Sequence, residues 1–224
     1  MDIHTYEFGY LMHSTPGTFV NEFEKIISGT VVRSNEYYPS REAISTYLKT
    51  KKLADAISKM QQIISVGNYS DKQIARNQRV FDTFSGLVVN KNSKLYGDRI
   101  HKTNKYFDYE FDNNIRVRFS PSALDESAKI YYHFIYGLRK RNFKTYRNQY
   151  IVESFILKSL EPDHMLVFVF LNTDKSHERY YKQDHITAAA INNIKQTAKI
   201  ISKLRTDFEK IKSSYGERAK LIPD

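Results

Sequence analysis

Apolar residues recur along this chain in two periods, and the alternation between them predicts most of the elements. Ile3 to Met12 alternates apolar with polar positions tightly enough for a strand, and Ser14 to Gly17, with Pro16 inside it, stops the run. Phe19, Val20, Phe23, Ile26 and Ile27 then step at helical spacing, with Gly29 beyond them as a terminator. A short strand is expected over Thr30 to Arg33. Ile44, Tyr47, Leu48, Leu53, Ile57, Met60, Ile63 and Ile64 describe a long amphipathic helix with a break predicted between Thr50 and Lys52 and a stop at Gly67. Ser70 and Gln73 have capping-box spacing for a short helix. Arg79 to Asn90 reads about equally as helix or strand, and Leu87 to Asn90 is assigned as strand.

Lys105 to Phe111 and Ile115 to Phe119 predict a hairpin whose register can be worked out from the side chains. A three-residue loop, Asp112 to Asn114, sets Phe111 opposite Ile115, Glu110 opposite Arg116, Tyr109 opposite Val117 and Asp108 opposite Arg118. Apolar groups then share one face and opposite charges the other, whereas a two-residue loop would mix the faces. Between Ser127 and Leu160 the apolar pattern is dense but its period is blurred, and one element is expected on each side of the basic stretch from Arg139 to Arg147. Met165 to Leu171 reads as a central strand. Ala190, Ile194, Ala198, Ile201, Leu204, Phe208 and Ile211 step by three and four, giving a long helix from Ile186 to about Ser213 with Asp184 as its N-cap.

These elements predict an α+β fold, with a mixed or antiparallel sheet and a long C-terminal amphipathic helix packed on it. No repeat, low-complexity tract or linker divides the chain, so one domain over residues 1–224 is expected, with residues 217–224 as a loose tail. The chain has no cysteine, which rules out disulfides, thiolate nucleophiles and Cys-ligated metals. Its first 17 residues lack a basic start and a continuous apolar core, and the longest apolar run is far too short to span a bilayer. A cytoplasmic protein with no membrane partner is expected.

Charge changes the picture more. The formal net charge is +10, and residues 1–60 carry seven basic and seven acidic side chains, so the whole excess lies beyond residue 60. Ser127 to Val152 contains Lys129, Arg139, Lys140, Arg141, Lys144 and Arg147 and no acid at all. Tyr131, Tyr132, Phe134, Tyr136, Phe143, Tyr146 and Tyr150 interleave with these cations. Cations for phosphates beside rings for bases is the composition of a nucleic-acid surface. The expected function is therefore DNA or RNA binding, with Arg139, Lys140, Arg141, Lys144 and Arg147 on phosphates and Phe143 and Tyr146 available for stacking. The competing explanation is a core element followed by a solvated basic loop, and an acidic protein would satisfy the same charge.

A nuclease, such as a toxin or an antiviral defence effector, is the alternative class. His101-Lys-Thr103 and His185-Ile-Thr187 stand 84 positions apart, a spacing seen in phosphodiesterases that use two imidazoles as acid and base. His101 is followed by polar residues, however, and His185 opens a helix, so chance pairing competes with that reading. Arg179 and His185 have a spacing compatible with helical HEPN ribonucleases, although this many strand signals do not suit an all-helical domain. Asp108, Glu110 and Asp112 point to one side of a strand as metal-binding carboxylates would, but the predicted register gives two of them arginine partners. The strand that follows also carries Arg116-Val-Arg118 where a PD-(D/E)xK nuclease needs Glu-x-Lys. No metal site is therefore assigned, and no cofactor is expected for a binder; a nuclease could use Mg²⁺. Glycine-rich phosphate loops and the Gly-x-Ser-x-Gly elbow are absent, which disfavours P-loop motors, Rossmann dehydrogenases and α/β-hydrolases. Nothing in the sequence argues against a homo-oligomer.

Overall fold

The computed structural model describes residues 1–28, 36–111, 115–137, 143–171 and 186–219, with side chains for all of these except 143 and 211–219. The chain opens with a short strand, β1 (Asp2–His4), and turns at once into a helix, α1 (Thr5–Leu11). This corrects the strand expected over Ile3 to Met12. The buried residues beyond Thr5 are Phe8, Gly9 and Leu11, and Phe8 and Leu11 are three apart, on one helical face. Glu7 secures the turn by accepting the His4 backbone N–H at 3.0 Å. Helix α2 (Pro16–Ile27) follows, with proline in its first turn, where a missing N–H costs nothing.

Helices α3 (Tyr38–Thr50) and α4 (Leu53–Val66) replace the single long helix, broken where expected. Lys51 takes a left-handed conformation, φ 61°, and ends α3. Gly67 stops α4 as predicted. Ser70 and Gln73 form the anticipated capping box at the start of α5 (Asp71–Val89), Ser70 N–H donating to Gln73 Oε1 at 2.9 Å. The helix continues to Val89, which corrects the strand assigned to Leu87 to Asn90: Val80, Phe81, Phe84 and Val88 are all buried and share one helical face.

The strands form two sheets. β3 (Phe107–Phe111) and β4 (Ile115–Phe119) are antiparallel in the register derived above, Phe111 opposite Ile115 through Asp108 opposite Arg118, and β1 lies parallel on the other side of β4. The second sheet has the order β2 (Ile100–Lys102), β5 (Ala123–Asp125), β6 (Ile130–Tyr136), β7 (Met165–Leu171). β6 and β7 are parallel and joined through α6 (Phe143–Leu160). Met165 to Leu171 was expected to be central, yet among the described residues β7 is an outer strand with β6 as its one partner. Its burial on both faces comes from the layers that cover it. The last helix, α7 (Ala188–Ala219), packs on α6 and β4, and Thr187 Oγ1 accepts the Ala190 N–H at 3.2 Å in its first turn. Glu217 to Ala219, expected in a tail, are helical. Gly29, the strand proposed over Thr30 to Arg33, the loop from Asp112 to Asn114 and the proposed cap Asp184 lie outside the described residues.

The fold is thus α+β, with its core split by the second sheet. Leu166, Phe168 and Phe170 of β7 and Tyr131 and Ile135 of β6 join a cluster with α1, α2, α6, α7 and the first sheet. The alternate residues Val167, Val169, Leu171, Tyr132 and Phe134 join a second cluster with α3, α4 and α5. Strict period-two alternation therefore feeds two cores from the same strands.

One polar joint lies inside the second layer. Asn77, on α5 and 1% exposed, accepts from Ser40 N–H (3.0 Å) and Ser40 Oγ–H (2.9 Å), and donates to the carbonyls of Glu36 (2.7 Å) and Gln73 (2.9 Å). It thereby satisfies the opening turn of α3. Asn77→Ala is expected to cost about 2–3 kcal/mol in urea unfolding, because buried partners are left unpaired. A loss below about 0.5 kcal/mol would show that water replaces the amide.

Candidate functional site

β6, α6 and β7 form a βαβ unit, and the connection from β6 to α6 is the basic stretch singled out in the sequence. In such units the carboxyl end of the first strand and the N-terminus of its helix face the same side, where backbone N–H groups and the helix dipole favour anions. Lys144 and Arg147 occupy the first turns of α6, three residues apart, both exposed, and no ion pair engages either among the described residues. Arg139, Lys140 and Arg141 lie outside the described residues, as does the side chain of Phe143.

The rings expected to interleave with these cations have other partners. Tyr131, Tyr132, Phe134 and Tyr150 are core residues, each no more than 2% exposed. Tyr146 is half-buried, 5.4 Å from the Tyr6 ring and 6.2 Å from that of Phe170. The aromatic half of the signal is therefore largely packing between α6 and its neighbours.

A polar cavity of about 420 Å³ lies beside the same unit. β5 pairs with β6 only from Ile130 to Tyr132, so His133 to Tyr136 have β7 on one side and no strand on the other among the described residues. Ser122 marks where β5 parts from β6: its N–H donates to Tyr132 O at 2.7 Å and its Oγ accepts Phe134 N–H at 3.0 Å. The cavity fills this notch. Arg41 and Glu42 of α3, Lys102 at the end of β2, Tyr106, Ser120, Ser122 and the β6 residues His133, Phe134 and Tyr136 line it. Burial pushes the Tyr136 phenol far above its ordinary pKa, against the opposing pull of Arg41.

His133 is held from behind. Its Nδ1 lies 2.8 Å from Oε2 of Glu153 on α6, a carboxylate with no exposed surface. The other oxygen, Oε1, accepts from Thr5 Oγ1 (2.6 Å) and from Gln149 Nε2 (2.7 Å). A buried carboxylate needs such partners, and this one has three. As a carboxylate only accepts, Nδ1 carries the proton that Glu153 receives. Gln149 Oε1 and Ser154 Oγ, on the same stretch of α6, are buried without a hydrogen-bond partner among the described residues.

The residues first considered for catalysis do not converge here. His101 stands exposed on β2 opposite Leu124, and Arg179 and His185 lie outside the described residues. Asp108 accepts from Arg118 Nε at 2.6 Å, and Arg118 also reaches Asp2 at 3.6 Å. Glu110 faces Arg116 across the strands and Asp112 lies outside the described residues. The strand carboxylates thus have the arginine neighbours that their register predicted. Among the described residues no group of three or more His, Asp or Glu side chains is placed to hold a metal, and no helix is long and apolar enough to cross a membrane.

His133 and Glu153 were not singled out from the sequence, although a signal was there. Each is the one imidazole or carboxylate inside a mainly apolar run, Tyr131 to Tyr136 and Tyr150 to Leu157, and a charge in such a run must find a buried partner. No known protein family, curated protein or solved structure matches the chain.

Proposed function

We propose that this chain is a nucleic-acid-binding protein of the cytoplasm that grips the phosphate backbone with the β6–α6 connection and the first turns of α6. The observation that carries this reading is the coincidence of an acid-free basic stretch with the anion-favouring end of a βαβ unit, where Lys144 and Arg147 are exposed and have no carboxylate partner among the described residues. With Tyr131, Tyr132, Phe134 and Tyr150 committed to the core, phosphate contacts carry this reading more than base stacking does.

Gel retardation of labelled single- and double-stranded RNA and DNA across a salt series tests this. The Lys144→Gln, Arg147→Gln double variant should weaken binding to all sequences alike and lower the slope of log affinity against log salt by about two. Its melting temperature should stay within a degree or two, since exposed charges add little to stability. Lys72→Gln with Lys91→Gln, exposed residues bracketing α5, removes the same charge elsewhere and should change the slope much less. A first double variant that binds like the wild type overturns the reading.

A further inference from the structure

We propose that the cavity beside β6 binds the carboxyl-terminal end of another protein's chain, which adds itself to the second sheet as a short strand in the place that β5 leaves. The site is separate from the basic connection and does not rest on the nucleic-acid reading. The backbone of β6 carries the argument. Tyr132 O accepts Ser122 N–H and Phe134 N–H donates to Ser122 Oγ, so the even-numbered residues of β6 turn their backbone groups toward β5. Gly137 N–H donates to Leu171 O, which shows the odd-numbered ones turned toward β7. Phe134 O and both backbone groups of Tyr136 therefore face the notch. β5 does not reach them, because the residue before Ser122 is Pro121, which has no N–H to continue a ladder. Among the described residues no hydrogen bond takes any of these groups, although Phe134 is only 2% exposed. Backbone groups inside a fold need partners, and an extended peptide supplies them at a strand edge that has room beside it.

Direction and register follow from the same atoms. A peptide lying antiparallel to β6, as β5 does, ends next to Ser122. Its last residue sits opposite Phe134 and gives its N–H to Phe134 O, and the residue two before it exchanges both backbone bonds with Tyr136. The terminal carboxylate then meets Lys102 and Ser122 on the cavity wall. Lys102 has no carboxylate partner among the described residues, and Ser122 Oγ, which accepts from Phe134, still has a proton to give. Arg41 is not asked to hold this charge: it stands 3.8 Å from Glu42, and both act on the phenol of Tyr136 at the other end of the notch. The His133 imidazole takes no part either, being turned to Glu153 on the opposite face of β6. Side chains directly opposite each other share a face, so the last side chain of the peptide points as Phe134 does, toward Ile44 and Leu48 of α3. An apolar last residue fits there. The cavity of about 420 Å³ lies within the roughly 300–1,000 Å³ of small-ligand sites. Tyr106 on its rim is 68% exposed, so the site opens to solvent.

Fluorescence anisotropy with the full chain tests this. The probes are a fluorescein-labelled hexapeptide, Gly-Ser-Gly-Thr-Ser-Leu, and the same peptide ending in Asp, each made as the free acid and as the amide. The free acid ending in Leu is expected to bind, and its amide and the Asp peptide to bind at least about 10-fold more weakly. Methylating the nitrogen of the last residue removes the N–H meant for Phe134 O and should weaken binding by about 10-fold or more. Methylating the residue before it, whose N–H points away from β6, should matter much less. Lys102→Gln should bring the free acid down to the level of the amide with the melting temperature unchanged. Lys72→Gln with Lys91→Gln removes charge from exposed positions elsewhere and should bind like the wild type.

No binding of the Leu acid at about 1 mM protein, the limit of a weak contact, would overturn the proposal. So would equal affinity for acid and amide, a harmless methyl on the last nitrogen, or wild-type binding by Lys102→Gln. An Asp peptide that binds as well as the Leu peptide would overturn the register that points the last side chain at Ile44 and Leu48. A loss in the Lys72, Lys91 variant equal to that in Lys102→Gln would show that diffuse charge holds the peptide, and would overturn the site.

Discussion

Gly9→Val should lower stability by about 3 kcal/mol and the melting temperature by about 6–12 °C. A Cβ at residue 9 would stand 2.7 Å from the backbone nitrogen of Gln149 and 3.1 Å from both Gln149 Cα and the Thr145 carbonyl oxygen. Those are backbone atoms of α6, which cannot swing aside as a side chain can. The Gly9 carbonyl also accepts from the Asn148 side-chain Nδ2 at 3.1 Å, a second tie between α1 and α6. A valine would force the helices apart and expose Phe8 and Leu11, which are fully buried. Gly86→Ala is the contrasting case. Nothing lies within 4 Å of a Cβ there, and a helical alanine should add about 0.5–1 kcal/mol. Thermal and urea unfolding of the two variants, monitored by circular dichroism, should therefore move in opposite directions. A Gly9→Val protein as stable as the wild type would mean that α1 is not packed on α6.

The second large effect is expected at Phe168, whose removal should cost about 3–5 kcal/mol. It has no exposed surface and touches the rings of His133 at 4.9 Å, Tyr150 at 5.2 Å and Phe170 at 6.4 Å. Phe168→Ala leaves a hole between β7 and α6 that neither backbone can close, because each is held by its own hydrogen bonds. Denaturant titration should show an earlier midpoint with little change in slope. Val169→Ala, one residue along and on the other face, should cost less, since valine carries less volume, and should loosen the layer of α3, α4 and α5 instead. Equal losses from the two substitutions would argue against a core divided by the sheet.

How much of this could be read in advance depends on whether an element's pattern was made locally or across the fold. The β3–β4 hairpin was legible to the residue, because a short loop between strands with one charged and one apolar face allows one register. The Ser70 cap, the Lys51 break and the Gly67 stop were legible for the same reason: each is set within a few residues. α1 was misread because its strand-like alternation ends at His4, and the pairing of β1 with β4 brings together segments over 100 residues apart. The Leu87 to Asn90 error came from β-branched residues, whose preference for strands yields to a buried helical face. β6 gave no clear period because both of its faces are buried, so its apolar run looks the same from either side.

For the site, composition marked one stretch of chain but joined two causes in one signal. The cations at Lys144 and Arg147 are on the surface, while Tyr131, Tyr132 and Tyr150 fill the core. Spacing alone could not have found the His133–Glu153 pair, whose members lie on different elements 20 residues apart. What marks them is polarity in the wrong place, a test that needs no alignment.

The hydrogen bond from Thr5 to Glu153 joins residues 148 positions apart, and this sets a timetable for synthesis. At about 5–20 residues per second, on the order of ten seconds pass between the translation of the two. Throughout that interval β1 and α1 are made but have no α6 to rest on, and the apolar side chains of Ile3, Phe8 and Leu11 stay available to any other surface in the cell. The imidazole reaches its final setting only when the end of α6 has left the ribosome and the N-terminus folds back over it. A nascent chain of this protein therefore cannot assemble the His133 pair early, however much of the α3 to α5 layer has already formed.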